Sequence, residues 1–120
     1  MIGRLTTHVL DTAHGRPAAG LAITLWAFDA VGTGRRRLKT VRTNDDGRVD
    51  APLLAEEEFV AGRYELVFAV GAYFASLLPS LPSPSFLDDV PVRFGIADST
   101  RHYHVPLLVS PWAYSTYRGS

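Results

Sequence analysis

Apolar and polar residues alternate with a period of two in several segments of this chain, which is the pattern of half-buried β-strands. In the segment 64–70, for example, Tyr64, Leu66 and Phe68 would share one face of a strand. Clusters of Gly, Pro, Asn and Asp separate such segments at short intervals, as they do in all-β sandwiches and barrels. The pattern predicts eight strands, at residues 5–10, 21–28, 36–43, 48–51, 64–70, 92–96, 101–110 and 112–118.

One segment departs from this alternation. Between residues 72 and 78, Tyr73 and the leucines that follow it recur at helical spacing before Pro79 ends the segment, so the sequence predicts one short helix there. The proline-rich stretch 79–91 still contains large apolar residues, which indicates a packed surface loop and not a linker between domains. We therefore predict a single domain that spans residues 1–120.

Two of the predicted strands carry histidine on the face opposite their apolar stripe. In the first strand, Leu5 and Val9 point toward the core and His8 points away from it; in the long strand near the C terminus, His102 and His104 point away. These outward faces also carry leucine and aromatic residues, and a sheet face with that much apolar area usually contacts another subunit. We therefore expect a symmetric oligomer.

The charge and residue composition exclude several classes of function. Lys plus Arg and Asp plus Glu each total 12, and this balance argues against nucleic acid or an anionic membrane as the partner. The chain has no cysteine, so it offers no thiolate nucleophile and no disulfide framework. It has no apolar run close to the length of a membrane span, which is about 18 residues. Its start lacks the pattern of a signal peptide. We expect a cytoplasmic protein, with the periplasm as the alternative if a signal was trimmed.

Residue type selects a small set of candidates for chemistry: His8, Arg48, His104, Tyr117, Arg118 and Ser120. An imidazole can take a proton from water at neutral pH, and a guanidinium offers a planar fork of donors to a carbonyl or an oxyanion. Together these groups suit the hydrolysis of a polar, anionic heterocycle. Spacing alone leaves a simpler interpretation open, in which the histidines are solvated or interface residues and Arg48 bonds turn carbonyls.

Other chemistries have less support in the sequence. His8, His102 and His104 could share a metal ion, but no Cys, Asp or Glu stands at ligand spacing, so we expect no metal. The arginine run 35–37 could contact phosphate, although a chain of zero net charge favours a solvated hairpin there. No serine lies in the pattern of a nucleophile elbow, which argues against a Ser-His-Asp hydrolase.

Four segments together resemble a known family. They are LTTHVLDTA at 5–13, TNDDGRVDAPLL at 43–54, RHYHVPLLVSP at 101–111 and YRGS at 117–120. The chain resembles the 5-hydroxyisourate hydrolases, the transthyretin-like enzymes of urate breakdown, over nearly its whole length. The resemblance implies an all-β, transthyretin-like sandwich of two four-stranded sheets with one short helix. It also implies a homotetramer, with active sites inside a central channel at the subunit interface.

The resemblance assigns roles to particular residues of this chain. It implies that His8, Arg48, His104 and Ser120 are catalytic and that Tyr117, Arg118 and Gly119 bind substrate; it gives His102 no direct role. The implied reaction is the opening of the six-membered ring of 5-hydroxyisourate by water, without a cofactor.

In the mechanism that this reaction suggests, one of the two histidines deprotonates the water, Arg48 stabilises charge on the substrate oxygens, and Ser120 with its terminal carboxylate orients the water or a histidine. The alternative is a transthyretin-like carrier that holds a small aromatic or anionic ligand without converting it.

Overall fold

Two β-sheets pack face to face and enclose the hydrophobic core. The structure is a computed structural model that describes residues 3–31 and 34–119. Within these residues the strands are β1 (Arg4–Asp11), β2 (Arg16–Pro17), β3 (Ala22–Phe28), β4 (Arg35–Arg42), β5 (Leu54–Ala55), β6 (Gly62–Ala69), β7 (Asp89–Ile96), β8 (Tyr103–Val109) and β9 (Tyr114–Thr116). One α-helix, α1 (Val70–Leu77), and a 3-10 turn, Glu56–Glu58, complete the regular structure of the described part of the chain.

The connectivity places the first and last long strands side by side. The first sheet has the strand order β2-β1-β8-β9, and β5 also pairs with β1; the second sheet has the order β4-β3-β6-β7 and is antiparallel throughout. Strands β1 and β8 run parallel, with Leu5 opposite Tyr103 and Leu10 opposite Leu108. The predicted all-β sandwich with one short helix is confirmed, and the two-residue β5 makes the first sheet five-stranded.

The core is formed by the apolar stripes that the alternation predicted. Leu5 and Val9 from the first sheet and Leu66 and Phe68 from the second are completely buried, as is Leu107 of β8. Burying such a side chain contributes about 1.5–3 kcal/mol relative to leaving it exposed, so the two stripes together provide much of the free energy that holds the sheets together. The opposite faces of β1 and β8 are thereby turned away from the core.

The predicted strand at 48–51 is wrong. Arg48 forms an isolated antiparallel bridge with His8, and regular pairing resumes only where Leu54 lies opposite Leu5. The five residues 49–53 therefore lie opposite two residues of β1, so the segment bulges away from the sheet. Pro52 lies in this bulge and has no N–H to give to a ladder, which is the physical reason that the strand does not continue.

The other predicted elements are present with shifted ends. Helix α1 begins two residues earlier than predicted, at Val70, and ends at Leu77. Strand β7 begins at Asp89 and so includes the end of the predicted proline-rich loop, and β9 is limited to Tyr114–Thr116. No helix in the described residues is long and apolar enough to cross a membrane.

Candidate active site

His8 and His104 lie on the outer face of the first sheet, on adjacent parallel strands. The register places Thr6 opposite His104 and His8 opposite Pro106. The two histidines are therefore offset by one pleat and share a face, and both are half-buried. The alternation of the sequence predicted the face of each histidine, and the parallel pairing of β1 with β8 brings the two together.

A tight turn at residues 44–48 brings Arg48 to the same place. The Asn44 side-chain carbonyl accepts hydrogen bonds from the backbone N–H of Asp46 at 2.9 Å and of Arg48 at 3.1 Å. Gly47 has φ +74°, and a Cβ at this position would lie 2.4 Å from the Val9 carbonyl oxygen. Because the Val9 N–H donates to the Gly47 carbonyl at 2.8 Å, the turn is fixed directly against β1.

The imidazole of His8 is held by the same turn. Its Nε2 lies 2.9 Å from the backbone carbonyl oxygen of Asp46. A carbonyl oxygen only accepts, so Nε2 is the protonated nitrogen of the neutral ring and donates this bond. The lone pair of neutral His8 is therefore on Nδ1.

The C-terminal tail reaches His104 by continuing the pairing of β9. Thr116 lies opposite Leu107, and extending that register by three residues brings Gly119 opposite His104, where the two form an isolated bridge. Pro106 interrupts the ladder between these points because it has no N–H. The Gly119 N–H donates to the His104 carbonyl at 2.8 Å, so the tail is bonded to β8 beyond the interruption.

Gly119 packs against the His104 ring more closely than another residue could. A Cβ at position 119 would lie 2.4 Å from Cδ2 of His104, well inside van der Waals contact. On the other side of the ring, Nδ1 lies 2.8 Å from the Thr6 hydroxyl oxygen. The His104 imidazole is thus bounded along two edges.

The surroundings lower the pKa of both histidines. Partial burial is the largest cause, because it disfavours the charged imidazolium, and the positive charge of Arg48 lowers both pKa values further. For His104 the neighbouring His8 acts in the same direction, whereas for His8 the contact with Asp46 opposes the shift. Both rings are therefore neutral at neutral pH and are able to accept a proton.

The guanidinium of Arg48 is exposed and makes no hydrogen bond or ion pair with any residue in 3–31 or 34–119. The structure thus provides no support in that part of the chain for the interpretation that Arg48 bonds turn carbonyls. A cavity of about 210 Å³ lies beside it, and its lining includes Arg4, Thr6 and Val49. A permanent positive charge with free donors therefore faces this cavity, as the stabilisation of a developing oxyanion requires.

The remaining predicted site residues lie elsewhere or outside the described part. The Arg118 guanidinium stacks 4.1 Å over the Tyr103 ring and donates to the His102 carbonyl at 3.0 Å. Tyr117 and Arg118 line a separate cavity of about 240 Å³ at the edge between the two sheets. Within one subunit they are not brought to the cavity beside Arg48, and Ser120 lies outside the described residues.

Sequence reasoning missed two polar groups that touch the histidines. The Thr6 hydroxyl and the Asp46 carbonyl contact His104 and His8, respectively. Thr6 precedes His8 by two residues and so shares its face, which is a signal available in the sequence, but its pairing with His104 depends on the register of β1 with β8. In the described residues, no group of three His, Asp or Glu side chains is arranged to hold a metal ion.

Comparison with known proteins finds relatives of both kinds that the resemblance suggested, 5-hydroxyisourate hydrolases and transthyretins. A family model described as the HIUase/Transthyretin family matches residues 5–119. A 5-hydroxyisourate hydrolase of Mesorhizobium japonicum is 64% identical over 118 residues, which are 98% of this chain and 93% of that protein.

Solved structures match as well. The 5-hydroxyisourate hydrolase of Klebsiella pneumoniae is 34% identical, with a TM-score of 0.79 over 99% of this chain and 100% of that one. Sea bream transthyretin, solved in complex with thyroxine, is 30% identical, with a TM-score of 0.85 over 97% of this chain and 94% of that one. The chain therefore belongs to the HIUase/Transthyretin family.

Proposed function

We infer that this protein hydrolyses 5-hydroxyisourate and opens its six-membered ring to give 2-oxo-4-hydroxy-4-carboxy-5-ureidoimidazoline. The observation that carries the inference is that two imidazoles of lowered pKa share one sheet face with the Arg48 guanidinium. The Mesorhizobium and Klebsiella relatives, which match nearly the whole chain, are 5-hydroxyisourate hydrolases. The reaction consumes only the substrate and water.

The proposed mechanism gives a step to one of the two histidines and to Arg48. One of the neutral histidines, His8 or His104, takes a proton from water as the oxygen attacks the ring carbonyl. Arg48 stabilises the negative charge that develops on the substrate oxygens, an effect worth about 2.7–4 kcal/mol for each donor in sites of this kind. The protonated histidine then returns its proton to the leaving ring nitrogen, which completes the cleavage of the carbon–nitrogen bond.

The C-terminal tail completes the proposed site. Gly119 lies against His104, so we propose that it binds substrate and that Ser120 orients the water or a histidine. Tyr117 and Arg118 are proposed to bind substrate as well. Since both lie away from the Arg48 cavity of their own subunit, this role requires a site built between subunits.

We propose that the active species is a cytoplasmic homotetramer of single-domain subunits with its sites at a subunit interface. Large aromatic side chains on and beside β9 support the assembly, because Trp112 is 56%, Tyr114 is 45% and Tyr117 is 60% exposed in the single subunit. Light scattering on the purified protein should give four times the mass of the 13.1 kDa chain. Cell fractionation against a periplasmic marker tests the location.

The direct test of function is the ultraviolet absorbance of 5-hydroxyisourate generated in place from urate by urate oxidase. A trace of the protein should speed the decay well beyond the spontaneous rate. Arg48→Ala should lose about 10²–10³ of this acceleration, as expected for the loss of an oxyanion donor.

The matched control for this test is Arg37→Ala, which removes an exposed arginine from β4 in the other sheet and should retain full activity. A decay that the wild-type protein does not change would contradict the proposal. Together with tight binding of a stable purine, that result would favour the carrier function.

A further inference from the structure

We propose that Thr6 is a positioning residue for the reaction, and that its hydrogen bond to Nδ1 of His104 leaves Nε2 as the nitrogen that exchanges protons with substrate or water. This inference rests on the proposed function, since it assigns an orientation to a histidine that the proposed mechanism uses. It adds a residue and a specific ring atom to that mechanism.

Thr6 and His104 form a close pair across two adjacent strands. Thr6 and His104 are directly opposite each other on the parallel strands β1 and β8, and the Thr6 hydroxyl oxygen lies 2.8 Å from Nδ1. This distance is typical of a strong hydrogen bond to a hydroxyl group. Because both backbones are fixed in a sheet, the hydroxyl is held at a constant position relative to the ring.

The hydroxyl of Thr6 bonds to no other group in the described part of the chain. Within residues 3–31 and 34–119 its only hydrogen bond is the one to His104. The neighbouring Thr7, by contrast, donates its hydroxyl to the Val105 carbonyl at 2.7 Å and is buried, so it supports the strand pairing itself. The Thr7 hydroxyl therefore bonds to the backbone, whereas the Thr6 hydroxyl bonds to the imidazole of His104.

The space around the His104 ring favours one orientation of the imidazole. Thr6 occupies the Nδ1 edge, and Gly119 lies so close to Cδ2 that a methyl group there would collide with it. A flip of the imidazole would exchange Nδ1 with Cδ2, and the hydroxyl of Thr6 would then face a carbon atom and lose its partner. One ring orientation is therefore favoured, and in it Nε2 is the nitrogen left without a protein partner in the described structure.

The ring of His8 is held through its other nitrogen. The Asp46 carbonyl engages Nε2 of that ring, so its available nitrogen is Nδ1. The two histidines consequently present different nitrogens, each fixed by a bond on the opposite side of the ring. This arrangement keeps the available nitrogen of each ring at a defined position, as proton transfer in a preorganised site requires.

The test compares Thr6→Val with Thr6→Ser. Valine has the shape of threonine without the hydroxyl and favours strands, so the fold should be kept; serine keeps the hydroxyl. Thr24→Val is the matched control, because Thr24 lies half-buried on β3 of the other sheet. The readouts are the ¹⁵N chemical shifts of the His104 ring and the separate values of kcat and KM for 5-hydroxyisourate.

We expect the Nδ1 resonance of His104 to move in Thr6→Val and to stay near its wild-type position in Thr6→Ser and in Thr24→Val. In Thr6→Val, kcat should fall about tenfold, the equivalent of one hydrogen bond, with a smaller change in KM. An unchanged Nδ1 resonance in Thr6→Val, or a Thr6→Ser variant as impaired as Thr6→Val, would overturn the inference.

The two readouts separate this inference from the function on which it rests. If the wild-type protein fails to speed the decay of 5-hydroxyisourate, the proposed function and the catalytic role of Nε2 both fail. The ¹⁵N signal would still report whether Thr6 orients the ring, because it needs no substrate.

Discussion

At the scale of residues, the guanidinium of Arg48 affects the proposed chemistry in two ways. The charge of Arg48 disfavours a second positive charge nearby, so it lowers the pKa of His8 and of His104 and keeps both rings ready to accept a proton. The same charge attracts negative charge that develops on a bound substrate. The base and the oxyanion donor therefore depend on each other electrostatically, and substitution of Arg48 should change more than one kinetic property.

The pH dependence of activity tests this coupling. The proposed base works in its neutral form, so kcat/KM should fall as the pH drops through its pKa. Because the pKa values of both histidines lie below the ordinary value of 6.5, this acid limb should appear below pH 6.5 in the wild-type protein. In Arg48→Ala the loss of the positive charge should raise the pKa of the base and move the limb to higher pH, measured on the residual activity.

The variants His8→Asn and His104→Asn show which ring produces the limb. The variant that lacks the base should lose the acid limb together with most of its rate, about 10²–10⁴-fold. A wild-type limb above pH 6.5, or one that Arg48→Ala leaves in place, would contradict the electrostatic account.

At the scale of elements, the remaining groups of the site lie on two irregular segments and not on complete strands. The turn 44–48 supplies Arg48 and the Asp46 carbonyl, and the tail supplies Gly119. Each is attached to the first sheet by backbone hydrogen bonds, the turn through Val9 and the tail through His104.

Asn44 is the residue that holds the turn together. Asn44→Ala removes the acceptor of two backbone N–H groups and the 2.9 Å bond from Nδ2 to the Asp50 carboxylate. The free energy of unfolding should fall by about 1–2 kcal/mol for the loss of these exposed bonds. The value of kcat/KM should fall up to about a hundredfold, because a displacement near 1 Å has such an effect in catalytic sites. Expressed as free energy, this loss of activity exceeds the loss of stability.

Denaturant unfolding and the absorbance assay measure the two effects of Asn44→Ala. Asp45→Ala changes an exposed residue of the same turn whose side chain makes no hydrogen bond in the described residues, so it should alter neither quantity. Equal losses in both variants would show that the turn responds to any substitution and that Asn44 has no special role.

The site forms at the scale of the whole molecule because the topology joins opposite ends of the chain. Thr6 and His104 are 98 positions apart, yet they are opposite each other in one sheet. The chain carries no net charge, so the positive charge at Arg48 is a local property of this face. The site therefore requires the complete sandwich, and it should be lost together with the pairing of β1 and β8.

The tail gives a test that separates the fold from the function. Removal of residues 117–120 should abolish turnover, because Gly119 no longer lies beside His104 and the other residues proposed to act on substrate are absent. The two sheets should remain, since Tyr117 and Arg118 are exposed and the core consists of other residues. Circular dichroism and thermal unfolding measure the fold, and the absorbance assay measures turnover; a truncated protein with wild-type activity would refute the role of the tail.

The local pattern of the sequence determined the class of fold and the face of each histidine. The alternation around Tyr64 and around Tyr103 has the period of a strand, and burial of one face follows directly from that period. The turn at Asn44 also follows from a local signal, because Asn, Asp and Gly in succession favour a turn through their own backbone preferences. The motifs around His8, Arg48 and His104 indicated the family.

Tertiary structure alone decided which of these residues meet. No local signal sets the parallel register that places Thr6 opposite His104, because it results from the packing of both sheets. The predicted strand at Arg48 became a single bridge because the five residues 49–53, with Pro52 among them, have only two residues of β1 to pair with. Arg118 was grouped with the site by its motif, yet its guanidinium stacks on Tyr103 in a separate cavity at the edge between the two sheets. Strand identity depends on neighbours in sequence, whereas the site depends on contacts between residues far apart in the chain.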